Sequence, residues 1–402
     1  MRDPAAELAG WASRLIPLPD DLGVARRALA DTLAVTVAAF GEPVAARTAG
    51  LSEAARWAAV GHALDFDDVH LPSTSHVSVV CVCATLAAGG DARDYLGGAG
   101  VMARLGTALG WDHYRRGWHA TCTAGAPAAA VSAGLALGLD EEGLARALAL
   151  AVPAAGGVQR AFGTDLKPLQ VGFAVDAGVR AAKLAAAGAT ADPASFGQWL
   201  ALMGGAGPLD LGGPAIPGGL AVKLYPCCYA MQRPIGVAQL LDVDARHVTR
   251  LRVEAPASSL QPLIHDRPET GPQAKFSLPY AIATALIDRS PGLASFTDPA
   301  VARPEVRDLM ERVEVFPGPG GDGVFAGRTR LTAHLRDGST ITRSLDLAPG
   351  HPDTPPSDDE LAVKIRDCAG EHRAAKIASA DWKTAASFLR TALTTADTAT
   401  PE

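Results

Sequence analysis

Between Gly61 and His76 the chain places three aspartates (Asp65, Asp67, Asp68) and three histidines (His62, His70, His76) within 15 residues. Carboxylates and imidazoles at this density suit general acid/base transfer or the ligation of a cation. The competing account is a polar loop that caps the helix after His76, and of the six residues His62 fits that account best. Four further polar clusters follow along the chain. Gly117-Trp118-His119-Ala120-Thr121 puts His119 at the start of a run of small residues. Gly163 and Pro168 bracket a turn in which Lys167 can point a fixed ammonium at an anion. Lys223 lies in the apolar run Val222-Lys223-Leu224-Tyr225-Pro226-Cys227-Cys228. A lysine buried there must be paired or must bind an anion. Lys275 and Tyr280 flank a predicted helix start, where free amides favour anions.

Helices are the elements that must position these groups. Apolar spacing predicts helices over Ala5–Leu15, Asp20–Ala39, Val77–Ala88, Asp91–Leu109, Asp140–Ala155 and Val171–Ala187. Ala120 to Leu139 is free of charge, but it is built from Ala, Gly, Ser and Thr with Pro127 inside. Membrane spans are rich in Leu, Ile, Phe and Val, so a helix packed inside a helical core is the better reading. Gly204–Gly219 is a Gly/Pro-rich loop. After about residue 240 the texture changes. Val248–Ala255, Val313–Phe316, Thr329–Leu335 and Thr340–Leu345 read as strands, Phe276–Arg289 as a helix, and Asp337-Gly338 as a hairpin turn. Asp358–Cys368 and Lys376–Ala392 are again helical. The fold class is therefore mainly α: a large all-α domain over 1–240 and a smaller α+β domain over 241–356. The helices of 357–392 return to the first domain, and a mobile tail covers 393–402.

Composition narrows the function. With 402 residues, 48% hydrophobic and 20% charged, the chain can bury a large core. A net charge of −7 argues against a general nucleic-acid binder, yet a few local cations can still hold a carboxylate substrate. The six cysteines form neither a disulfide framework nor zinc-ligand pairs. Cys227 and Cys228 read as core residues. There is no dinucleotide or Walker loop, no serine-hydrolase elbow and no HExxH, so nucleotide, flavin and zincin mechanisms lack support. The start of the chain lacks the pattern of a signal peptide, and a cytoplasmic protein without membrane contact is expected.

Taken in order, the five clusters resemble the MmgE/PrpD superfamily, which includes 2-methylcitrate dehydratase and cis-aconitate decarboxylase. The resemblance is carried by His62-Ala63-Leu64-Asp65-Phe66-Asp67-Asp68, Gly117-Trp118-His119-Ala120-Thr121, Phe162-Gly163-Thr164 with Lys167-Pro168-Leu169, Lys223 to Cys228, and Phe276-Ser277 with Tyr280. It implies a helical domain, an α+β lid, a cleft between them and a homodimer. It also implies a cofactor-free, metal-free lyase acting on a small di- or tricarboxylic acid. Asp65, His76, His119 and Tyr280 would be its catalytic residues. Lys167 and Lys223, joined by Lys275, would bind substrate carboxylates. The chain departs from many members at Val69, Gln170 and Tyr229–Arg233. By family prevalence a 2-methylcitrate dehydratase-like hydro-lyase is expected, with a decarboxylase or epimerase as the alternative. A reading of another class is a metal-binding or non-catalytic protein using Asp65, Asp67, Asp68 and His70.

Overall fold

The computed structural model describes residues 3–205, 209–320 and 325–397. Its core divides in two. The larger part is helical, and its principal helices are α1 (Pro4–Ser13), α2 (Pro19–Ala38), α3 (Glu53–His62), α4 (Ser78–Ala88), α5 (Ala92–Arg115), α6 (Ala120–Ala136), α7 (Glu141–Ala151) and α8 (Leu166–Ala186). The small-residue run forms α6, and Ala120 through Leu135 are all buried. Helix α8 lies close against it. At Gly178 an added Cβ would come within 2.4 Å of the Ala126 carbonyl oxygen, so this approach requires glycine. Among the described residues no helix is long and apolar enough to cross a membrane.

The second core is built on helices α9 (Gln232–Gln239) and α10 (Leu278–Asp288) against a four-stranded sheet. Its strands are β1 (Val248–Pro256), β2 (Val313–Gly318), β3 (Thr329–Leu335) and β4 (Thr340–Leu345), in spatial order β2-β1-β3-β4. β1 runs parallel to β2, with Leu251 opposite Val313, and antiparallel to β3, with Leu251 opposite Ala333. The hairpin of β3 and β4 turns through Gly338 at φ 83°. Leu251, Val253, Leu331 and Ala333 turn inward, as period-two alternation requires.

The last helices, α11 (Asp358–Ala378) and α12 (Ala385–Asp397), rejoin the first core through Leu361, Ile365, Ile377 and Leu389. Several limits differ from the sequence reading. Tyr225, Cys227, Met231 and Ile235 pack in the second core, so the change of core falls near residue 224 rather than 240. Helical periodicity identifies a buried face but not the layer that covers it. The helix expected over Lys376–Ala392 is broken after Ala378, where Asp381 accepts from the amides of Lys383 and Thr384 and caps the next turn. The expected tail is helical through Asp397, and residues 398–402 lie outside the described residues.

Candidate active site

The acid- and histidine-rich segment leaves the end of α3 and re-enters helix at α4. Its centre is strained: Asp65 adopts φ 54°, a left-handed conformation that costs a non-glycine residue about 1–3 kcal/mol. Three buried lysines from distant parts of the chain hold it there. Each donates to one of three consecutive carbonyl oxygens: Lys275 Nζ to Leu64 at 2.6 Å, Lys223 Nζ to Asp65 at 2.7 Å and Lys364 Nζ to Phe66 at 2.8 Å. Lys364 also pairs with Asp31 of α2 at 2.6 Å and lies 4.1 Å from the centre of the Phe66 ring.

The side chain of Asp65 gathers two of the site's cations. Lys167 lies 2.5 Å from Oδ1 and Lys223 3.2 Å from Oδ2. Burial alone would raise the carboxyl pKa, but these two ammonium groups outweigh it and hold it far below the ordinary range. Burial pulls the Lys223 ammonium down, and Asp65 and Asp67 more than offset this, so its pKa is raised. Asp67 faces two imidazoles, with His62 Nδ1 at 2.8 Å and His76 Nδ1 at 3.0 Å from Oδ2. Burial opposes the Asp67 carboxylate, and these contacts outweigh it. His62 Nε2 accepts from Lys167 at 2.8 Å, so its hydrogen sits on Nδ1, toward Asp67.

The histidines are neutral at pH 7. Burial, with Lys223 and His62 nearby, takes His76 down to about 3 despite Asp67. His62 is lowered by burial, and His119 well below the usual range by burial and then by His62 and Lys167. A carboxylate beside an imidazole ordinarily raises its pKa. Desolvation reverses that direction.

Above this cluster opens a cleft of about 640 Å³, lined by Asp65 and Lys167 from the helical side and by Thr270, Lys275, Phe276 and Phe296 from the sheet-bearing side. Lys275 is buried, which lowers its pKa to about 8, close to the range in which it can exchange a proton. Lys223 is fully buried behind Asp65.

Asp65, His76, His119, Lys167, Lys223 and Lys275 thus fall in one region. His62 and His76 rings lie 4.5 Å apart, and His62 and His119 rings 5.7 Å apart. Tyr280 does not join them. Its ring packs on Phe296, and its hydroxyl donates to the Ser295 carbonyl near Asp288 and Arg303, inside the lid core. Position within α10 decides this: the residue three past the Ser277 cap points into the core. His62, which the sequence favoured as structural, stands at the centre of the site.

Lys364 escaped the sequence reading altogether. The available signal was a lysine on the apolar face of α11, three residues after Leu361 and four before Cys368, both buried.

The different-class reading asked for a cation on Asp65, Asp67, Asp68 and His70. Asp68 instead accepts from the amide and hydroxyl of Ser78 at the start of α4, and burial pushes its pKa up to about 7. His70 is engaged by Ser73 at 2.7 Å and by the Pro217 carbonyl. The residues whose ligand atoms do converge, all within 4.8 Å, are His62, Asp65, Asp67 and His76. The ammonium groups of Lys167 and Lys223 already occupy the cation positions on Asp65, so this set does not fit a resident divalent ion.

Comparison with known proteins matches residues 46–200 to the MmgE/PrpD N-terminal domain and residues 225–387 to the MmgE/PrpD C-terminal domain. The chain belongs to the MmgE/PrpD superfamily. The second match begins at residue 225, where the packing passes from one core to the other. A cis-aconitate decarboxylase of Aspergillus terreus is 28% identical over 357 residues, covering 77% of this chain and 72% of its own. The cis-aconitate decarboxylase of Homo sapiens is 25% identical over 340 residues, covering 76% and 69%. That of Mus musculus is 26% identical over 274 residues, covering 62% and 55%. Membership makes this chain an enzyme of the hydratase/decarboxylase type of lyase.

Proposed function

We propose that the protein is a cofactor-free carboxy-lyase that removes CO2 from a small tricarboxylic acid of the cis-aconitate type. The observation that carries this is the meeting of ionised Asp65 with the Lys167 and Lys275 ammonium groups in the lining of a cleft shared by the helical part and the lid, with neutral His76 packed beside Asp65. The reading replaces the hydro-lyase preference. That preference rested on family prevalence, whereas the relatives named above are decarboxylases.

The chemistry asks for what these residues supply. Breaking the bond to the departing carboxylate releases CO2 and leaves an electron pair on the remaining carbon skeleton. That pair spreads onto an adjacent unsaturated carboxylate, whose growing charge Lys167 and Lys275 can hold. One preorganised contact of this kind contributes about 2.7–4 kcal/mol. A proton must then reach carbon. In this proposal Lys167 and Lys275 bind and polarise, and Lys223 holds Asp65 from behind. Lys275, with its pKa lowered to about 8, passes its proton to carbon and regains one from solvent, and neutral His76 and His119 hydrogen-bond beside Asp65. Lid closure over Phe276 and Phe296 would exclude water and strengthen each contact.

A homodimer forms the second part of the proposal. Leu166, Phe173 and Leu184 are exposed large apolar residues spaced by 7 and 11 along α8, which places them on one helix face. Exposed apolar stripes of this kind mark association surfaces.

The test is incubation of the purified protein with cis-aconitate, methylcitrate and related acids, followed by mass spectrometry and metal analysis. Loss of CO2 from cis-aconitate with no stoichiometric metal is expected. Loss of water alone would restore the hydro-lyase reading, and turnover that requires metal would overturn the cofactor-free mechanism.

A further inference from the structure

Gln170 lies on α8, one turn beyond Lys167, and has no part in the chemistry above. Its amide orientation is fixed by the backbone of Val158. Oε1 accepts from the Val158 N–H at 3.0 Å, and Nε2 faces the Val158 carbonyl at 3.3 Å. Rotating the amide by half a turn would set NH2 against N–H and oxygen against carbonyl, so the Val158 backbone selects one orientation. In that orientation Nε2 also reaches His119 Nδ1 at 2.7 Å. An amide nitrogen can only donate, so His119 Nδ1 must be the acceptor. A second donor converges on the same atom: the Cys122 thiol at 3.3 Å, kept protonated by burial. With Nδ1 accepting, the single hydrogen of the neutral ring is on Nε2. Among the described residues that nitrogen meets no hydrogen-bond partner.

We infer that Gln170 is a positioning residue that locks His119 as its Nε2–H tautomer, making it a neutral hydrogen-bond donor toward a substrate oxygen and not a base. A neutral imidazole can polarise a carboxylate or enolate oxygen in this way. The two histidines then divide the work. His76 lies between two carboxylates, with Nδ1 3.0 Å from Asp67 and Nε2 3.7 Å from Asp65, while His119 is the donor. This assignment of roles rests on the lyase reading, but the tautomer does not.

The experiment is nitrogen NMR of the full-length protein labelled with 15N-histidine at pH 7.5, with His119 assigned by its loss in His119→Gln. A pyridine-type shift at Nδ1 and a pyrrole-type shift at Nε2 are expected. The reverse pattern would overturn the inference, and this measurement needs no variant of Gln170. Gln170→Glu then places an acceptor against Nδ1 and should invert the two shifts. An unchanged ring would also refute the lock. In the decarboxylation assay Gln170→Glu should lower kcat by at least about tenfold, since a wrong tautomer can cost up to about 10⁴, with a smaller change in KM. Unaltered kcat with an inverted tautomer would remove the donor role. Absence of any turnover of cis-aconitate by the unmodified protein would count against the proposed reaction and leave the tautomer measurement standing.

Discussion

Lys364→Met tests the positioning of Asp65 from a residue that is outside the lining of the cleft. The lysine is buried, makes an ion pair with buried Asp31 and donates to the carbonyl between the two site aspartates. Removing one partner of a buried pair typically costs about 3–5 kcal/mol, because the other charge is stranded. The lost hydrogen bond to Phe66 and the contact with its ring fall within that figure. Measured against a total stability of about 5–15 kcal/mol, the effect is large. The double variant Asp31→Asn/Lys364→Met strands no charge and should recover part of the loss, giving a coupling energy of roughly 0.5–3 kcal/mol. Urea unfolding followed by both circular dichroism and tryptophan fluorescence is the assay, since the two cores need not unfold together. The double variant should still turn over slowly. A displacement of about 1 Å at reacting groups can cost about 10²-fold, and the strained Asp65 backbone would be held by two lysines instead of three. A single variant within about 1 kcal/mol of the unmodified protein, or a double variant with additive losses, would refute this reasoning.

Acid should destabilise the protein well before ordinary carboxylates titrate. His62, His76 and His119 are neutral in the fold with lowered pKa values, about 3 for His76, so below about pH 6.5 the unfolded chain binds protons that the fold does not. Asp68, raised to about 7, and Asp31, also raised, act in the opposite sense above about pH 3.8. Denaturant midpoints between pH 7 and 4.5 should therefore fall with a net uptake of about one to two protons; midpoints that rise on acidification would contradict the burial argument. Tyr280→Phe should leave kcat unchanged and lower stability by about 1 kcal/mol through the lost bond to Ser295; a tenfold fall in kcat in a folded variant would return Tyr280 to the chemistry. Phe173→Glu should convert a dimer into a monomer by light scattering at micromolar concentration, and a monomeric unmodified protein would dispose of the dimer.

Strands and hairpin were legible because their signals are local: alternation in β1 and β3, and Asp337-Gly338 at the turn. Asp65, Lys167 and Lys223 were legible as candidates because cations and acids in apolar surroundings need partners. What escaped were facts of long-range packing. The direction of the His76 shift depends on how completely the helices exclude water. The role of His62 depends on Lys167, more than 100 residues later. The lid placement of Tyr280 depends on which side of α10 meets the sheet, which periodicity alone does not assign to a site or to a core.

The reach of Lys364 to Phe66 also sets an order of events during synthesis. The two residues are 298 positions apart. At about 5–20 residues per second a ribosome adds the later one roughly 15–60 s after the earlier. Until then Asp31 has no ammonium partner, and the bend at Asp65 lacks one of its three tethers. A nascent chain can assemble its first helices in that interval, but it cannot finish the loop that carries Asp65. Completion of the candidate site is thus tied to the arrival of the C-terminal helices.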